Sequence, residues 1–178
     1  IAVILDVLYN HWGPSDLDLF RYDGWSEFGY GGIFFYNDTP RAETPWGARP
    51  DFGRPEVRSY IRDNALLWLE EFRIDGLRLD ATKYIRSAPE YGIDIPDGWS
   101  IMQWINDSID AVQPWKLTIA EDWGNLETMS QSTSQNGAGF GSQWDGVFVH
   151  PVRALATIVN DADRSMFDLR ESVLHSFN

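Results

Sequence analysis

Four carboxylates in this 178-residue sequence fall within or just after short apolar runs. Asp6 lies in Ala2-Val3-Ile4-Leu5-Asp6-Val7-Leu8, and Asp80 closes Gly76-Leu77-Arg78-Leu79-Asp80. Glu121 and Asp122 follow Leu117-Thr118-Ile119-Ala120. If each run is a strand of one parallel sheet, neighbouring carboxylates are separated by about 4.8 Å, the strand spacing. Asp80 and Glu121 then fall within the roughly 5–5.5 Å that a retaining glycosidase keeps between its two carboxyl groups. Side chains alternate along a strand, so Arg78 shares the face of Asp80 at a rise of about 6.6 Å. Its positive charge favours an ionised, nucleophilic Asp80. Glu121 has no adjacent cation in the sequence and sits between Ala120 and Trp123, a setting that suits a proton-bearing general acid. Ion pairs with no catalytic role also perturb carboxylates. A structural Arg78–Asp80 pair, with Glu121 solvated in a loop, reads the same spacing equally well.

Other polar landmarks carry less. His11 reads as a ligand contact or as a loop anchor, and His150 and His175 as surface or helix-end residues. No two histidines have the i, i+4 spacing of a zinc helix. Gly137-Ala138-Gly139-Phe140-Gly141-Ser142 lacks the Gly-Lys-Ser/Thr ending of a phosphate loop and reads as a turn. With no cysteine, disulfides, thiolate metal sites and cysteine nucleophiles are excluded, and a reducing, cytoplasmic compartment is favoured. A net charge of −13 argues against nucleic acid as a partner. No apolar run approaches the roughly 20 residues of a membrane helix. The first residues already lie inside an apolar run and the last continue a helical pattern, so both ends read as cut from a longer chain.

Positioning these groups requires an ordered set of elements. Apolar runs predict strands over 2–8, 74–80, 117–121 and 146–149, the first and third nearly continuous, as in parallel sheets covered by helices. Between them, 55–72 places Val57, Ile61, Ala65, Trp68, Leu69 and Phe72 on one helical face, with Pro55 in the first turn. The segment 101–112 repeats the pattern, with Ser100 and Gln103 as a capping box. Further helices are expected from Pro151 and after Asp163, the latter with Met166, Leu169, Val173 and Phe177 inward. The alternation predicts an α/β fold with a parallel sheet. Four strands are half of a (β/α)8 barrel, and the rival doubly wound sheet lacks its Gly-rich turn. Residues 12–54 form an anomalously long connection, rich in aromatic residues, that reads as a subdomain inserted over the carboxyl edge of the sheet. Its rings would form a small core or stack on sugar faces.

Taken in order, Asp6-Val7-Leu8-Tyr9-Asn10-His11, Gly76-Leu77-Arg78-Leu79-Asp80 and Ala120-Glu121-Asp122 resemble the first three signature regions of the α-amylase family of glycoside hydrolases. The resemblance implies a partial (β/α)8 barrel spanning strands three to six, with residues 1–178 part of one catalytic domain truncated at both ends. It implies Asp80 as nucleophile, Glu121 as general acid/base and Arg78 as orienting residue. Asp6, Tyr9, His11 and Trp46 would contact the sugar. It also implies an α-glucan partner and no required cofactor. Asn10 matches a calcium ligand of many amylases, a metal that many relatives lack. Lys83-Tyr84 replaces the Lys-His of many amylases. The fourth signature, with the third catalytic carboxylate, is not in the chain. Within the family, Thr44-Pro45-Trp46-Gly47, Asp51-Phe52-Gly53-Arg54-Pro55 and Gln143-Trp144-Asp145 are similar to the group of branching enzymes and trehalohydrolases. That likeness implies transfer of α-1,4-glucan chains to a 6-hydroxyl, with hydrolysis or a non-catalytic glucan-binding module as alternatives.

Overall fold

A computed structural model describes residues 1–13 and 19–175. In chain order the elements are β1 (Ile4–Val7), β2 (Glu43–Thr44), β3 (Gly47–Ala48), α1 (Pro55–Glu70) and β4 (Gly76–Leu79). There follow α2 (Thr82–Arg86), β5 (Ser87–Ala88), β6 (Ile93–Asp94), α3 (Pro96–Val112), β7 (Leu117–Ala120), β8 (Ser142–Gln143), α4 (Gly146–Thr157) and α5 (Met166–Leu174). The main sheet runs β1-β4-β7-β8 with every pairing parallel, and two short antiparallel pairs, β2-β3 and β5-β6, stand apart from it.

Alternation on the strands creates two faces. Val7, Leu77, Leu79 and Ala120 are buried in one core cluster with Val57, Ile61, Ala65 and Leu69 of α1 and Ile101, Ile105 and Ile109 of α3. The opposite face carries Asp6 and Arg78. Pro55 opens α1 at its first turn, as expected. At the other end Phe72 lies beyond the helix and is exposed. The helix α3 begins at Pro96, not at 101, so Ser100 and Gln103 form no capping box; Ser100 instead donates to the Asp97 carbonyl. Gly98 permits this early start, because a Cβ there would come within 1.8 Å of the Ile85 carbonyl oxygen where α3 meets α2.

The expected strand over 146–149 is a helix. Asp145 accepts hydrogen bonds from the Val147 and Phe148 amides at 2.8 and 3.2 Å, and this cap outweighs the strand preference of Val-Phe-Val. The fourth strand is the short polar pair Ser142–Gln143, and α4 runs through Pro151 rather than starting there. The apolar positions of α5 also depart from expectation: Met166 and Val173 are exposed, and Phe177 lies outside the described residues.

Of the long connection, Phe35, Tyr36, Ala42 and Phe52 are buried, and Tyr36 and Phe52 join the main core cluster. Its anchor is Arg49, fully buried with no carboxylate partner among its hydrogen bonds. Arg49 donates to the carbonyls of Arg41, Tyr84 and Ser87, tying this segment to the C-terminal end of α2, where carbonyls carry partial negative charge. Burial pulls its guanidinium down to about 10. Arg49→Ala would leave buried carbonyls without their donor, so urea unfolding should show a loss of at least about 3 kcal/mol; a loss below about 1 kcal/mol would contradict this account.

Candidate active site

Parallel register aligns the charged residues. Asp6 pairs with Arg78 across β1 and β4, and Arg78 with Ile119 across β4 and β7. The ladder continues past the strand ends: the Asp80 amide donates to Val7, the Glu121 amide to Leu79 and the Trp144 amide to Ala120. Consecutive strands thus deliver their terminal side chains to one edge.

Arg78 holds this edge together. Its Nη1 lies 2.6 Å from both oxygens of Asp6 and 2.9 Å from Asp80 Oδ1, and its Nη2 lies 2.6 Å from Glu121 Oε1. Glu121, expected to lack a cation, therefore has one, because the pairing crosses from β4 to β7 and leaves no mark on the residues beside it in sequence. Glu121 Oε2 also accepts the Ala81 amide at 3.0 Å. Ala81 adopts a left-handed conformation, φ 43°, uncommon for a residue with a Cβ, which turns the chain out of β4 into α2. Side-chain exposure falls from 58% at Asp6 to 25% at Asp80 and 8% at Glu121, so the three acids form a graded wall from open face to interior.

Asn10 is fully buried beneath Asp80, and its Nδ2 donates to Asp80 Oδ2 at 2.9 Å and to the Asp80 carbonyl at 2.8 Å. Its Oδ1 accepts from His11 Nδ1. The Asn10 oxygen is engaged by His11, and among the described residues no group of three His, Asp or Glu could hold a metal. Tyr9 points away from the acids; it is buried in the core and donates to Asn64 Oδ1 at 2.9 Å, with burial raising its phenol. His11 and Trp46 stay at the site, their rings 5.9 Å apart. Burial lowers the His11 imidazole, against the opposing pull of Asp80. These two rings, with Leu8, Asp80, Glu121 and Trp123, line an open cleft of 380 Å³. Trp46 meets Tyr84 and Trp123 edge-on at 5.0 and 6.2 Å, so flat apolar surfaces stand beside the carboxylates.

Sequence reasoning missed the support behind the cleft. Asp122, on the face opposite Glu121, is buried and binds Arg86 of α2 through two bonds of 2.7 and 2.9 Å. It also accepts the Gly124 amide at 2.8 Å. Thr82 donates both its amide and its hydroxyl to the Glu121 carbonyl. The only signal in the sequence was the adjacency of Glu121 and Asp122, which alternation sends to opposite faces.

Removing Asp122 leaves Arg86 unpaired in a buried site. Asp122→Ala should therefore lower stability by about 3–5 kcal/mol in denaturant melts; a change below 1 kcal/mol would place the pair in solvent. For His11, a lowered native value means the folded state binds fewer protons than the unfolded one. Its contribution is then complete above 6.5, the ordinary imidazole value, and declines as pH falls below it. Melts of the wild type and His11→Gln should converge on acidification, and parallel pH profiles would refute the assignment.

No family model matches the chain. Over an alignment that takes in 84% of the chain, it is 32% identical to the 1,4-alpha-glucan branching enzyme GlgB 2 of Streptomyces avermitilis. It is also 32% identical, over 82% of its length, to the branching enzyme GlgB of Geobacillus stearothermophilus. The chain spans 27% and 22% of these two proteins, about a quarter of the curated relatives it matches. In structure it is similar to a Salmonella typhimurium protein provisionally named an α-amylase, at TM-score 0.65 and 26% identity, over 88% of this chain and 24% of that one. It is also similar to a pullulanase of Paenibacillus barengoltzii, solved with maltohexaose and α-cyclodextrin, at TM-score 0.52 and 28% identity, over 69% of this chain and 17% of that one. With its three motifs in register at one sheet edge, the chain belongs to the α-amylase family of glycoside hydrolases.

Proposed function

We propose that the protein is a retaining enzyme of α-1,4-glucan metabolism, specifically a 1,4-α-glucan branching enzyme. One observation carries the reading: a single guanidinium bridges Asp80 and Glu121, in a chain resembling branching enzymes over 84% of its length. In this reading Asp80 attacks the anomeric carbon while Glu121 protonates the departing glycosidic oxygen, and the broken bond leaves a glycosyl ester on Asp80. Glu121, now a carboxylate, takes the proton of a glucan 6-hydroxyl, whose oxygen displaces Asp80 from the anomeric carbon. The donors on both Glu121 oxygens suit that carboxylate state. Arg78 and Asn10 fix the aim of the nucleophile. Asp6 and His11 meet sugar hydroxyls, and Trp46 takes the apolar face of a ring. Tyr9 supports this floor from the core rather than touching substrate. The four-stranded sheet then represents strands three to six of a (β/α)8 barrel, and 12–54 the insertion that follows the third. The absence of cysteine supports a cytoplasmic setting, and no described helix is long and apolar enough to cross a membrane.

Hydrolysis of α-1,4-glucans is the second reading, favoured by the likeness to the α-amylase-named protein and the pullulanase. The same carboxylates serve, with water as acceptor. A glucan-binding module without catalysis has no use for a desolvated cation aimed at both acids. Incubation of the full protein with amylose separates the readings. Branching removes the iodine colour with few new reducing ends, whereas abundant reducing ends indicate hydrolysis. Glu121→Gln should lower the rate by about 10²–10⁴-fold, and turnover within a few-fold of wild type would reject Glu121 as acid/base.

A further inference from the structure

Arg78 binds three carboxylates through Nη1 and Nη2, yet its Nε is buried without a hydrogen-bond partner among the described residues. Those Nη bonds and the covalent stem meet the planar guanidinium only at its edges, and its two faces are left to other contacts. A different contact restrains it: the Cζ of Arg78 lies 4.1 Å from the centroid of the Trp144 ring. At that distance the negative face of the indole attracts the cation and covers one side of it.

Trp144 is itself anchored twice. Its amide donates to the Ala120 carbonyl at 2.9 Å, extending the β7–β8 ladder by one residue. The next residue, Asp145, caps α4 and contacts His175 Nδ1 through its other oxygen. The backbone that carries the half-exposed ring is thus set by the end of β8 and the start of α4, elements that hold none of the residues placed in the chemistry above.

We propose that Trp144 is a positioning residue that acts through Arg78. Its ring fixes the plane of the guanidinium, so that Nη1 faces Asp80 while Nη2 faces Glu121, and it keeps water off that face of the cation. Acids on two different strands then hold the relative geometry that glycosyl transfer requires. The kinetic part of the inference rests on the glucan reading above; the geometric part does not.

The test compares Trp144→Leu, which keeps apolar bulk without a π face, with Trp144→Phe, which restores the face. In the full protein acting on amylose, Trp144→Leu should lower kcat by on the order of tenfold with KM within about twofold, and Trp144→Phe should recover most of the loss. Nitrogen-15 spectra should show separate, ring-shifted Arg78 Nη resonances in the wild type and the Phe variant, and averaged ones in the Leu variant. Unchanged Arg78 resonances in Trp144→Leu, or a Phe variant as impaired as the Leu variant, would overturn the proposal. Should the wild type turn over no glucan, the resonances alone decide it, and only the functional reading fails.

Discussion

The Arg78 guanidinium is the constraint around which the rest of the chain is arranged. Three carboxylates, one in β1 and two just past the ends of β4 and β7, converge on it, and Glu121 among them is well shielded from water. Like charges brought this close repel strongly in a medium of low dielectric. The arrangement is tolerable only because a planar cation with several fixed N–H directions can meet each acid separately, which a lysine could not do. Asn10 completes it from below, donating to the Asp80 oxygen that Arg78 does not reach. Both oxygens of Asp80 therefore have assigned donors, and its orientation follows from bonds rather than from rotamer preference.

Holding that edge in place falls to α2, a helix of only five residues. It begins at the left-handed Ala81, whose amide reaches Glu121, and its first residue, Thr82, bonds the Glu121 carbonyl. Tyr84 stands against Trp46, and Arg86 grips Asp122. Arg49 then ties the C-terminal carbonyls of α2 to the long connection that brings Trp46. Short elements gain little from helix propensity and depend on tertiary contacts. Here those contacts are buried ion pairs and charged donors on carbonyls, which resist small displacements because each broken one leaves a buried group unsatisfied.

Much of this was legible from local pattern. Alternation in Gly76–Asp80 separates Leu77 and Leu79 from Arg78 and Asp80, and helical periodicity marks the buried stripe of α1. The order of the first three strands follows from the sequence of apolar runs, because parallel neighbours are delivered consecutively, whereas the polar Ser142–Gln143 strand has no such run. What local pattern does not carry is the identity of partners. Arg78 reaches Glu121 across 43 positions, Arg86 meets Asp122 across 36, and Arg49 hydrogen-bonds carbonyls rather than an acid. Val147-Phe148-Val149 misled for another reason: one capping carboxylate at Asp145 decides between helix and strand where propensities are nearly balanced. Adjacency in the motif Asp6–His11 suggests that Tyr9 and His11 share one surface, and it carries no sign of which residue turns inward. The structure sends Tyr9 into the core and puts Asn10 wholly beneath Asp80.

The sign of the charge around the cleft bears on the proposed chemistry. Glycosyl transfer passes through an oxocarbenium-like state that concentrates positive charge near the anomeric carbon. A cation facing that carbon would oppose the reaction, whereas fixed negative groups stabilise it without having to reorganise. Arg78 is only 10% exposed at its side chain, and Trp144 covers one face of it. It therefore lies behind the carboxylates, ordering them without presenting its own charge to the cleft. The acids outnumber it, and the side chains of Asp6 and Asp80 remain 58% and 25% exposed. The overall charge of −13 is no obstacle to a glucan, which is neutral and needs no electrostatic attraction. In the glucan reading proposed above, recognition rests on the aromatic faces beside the carboxylates and on hydroxyl contacts from Asp6 and His11, while the charges of Asp80 and Glu121 serve the transition state.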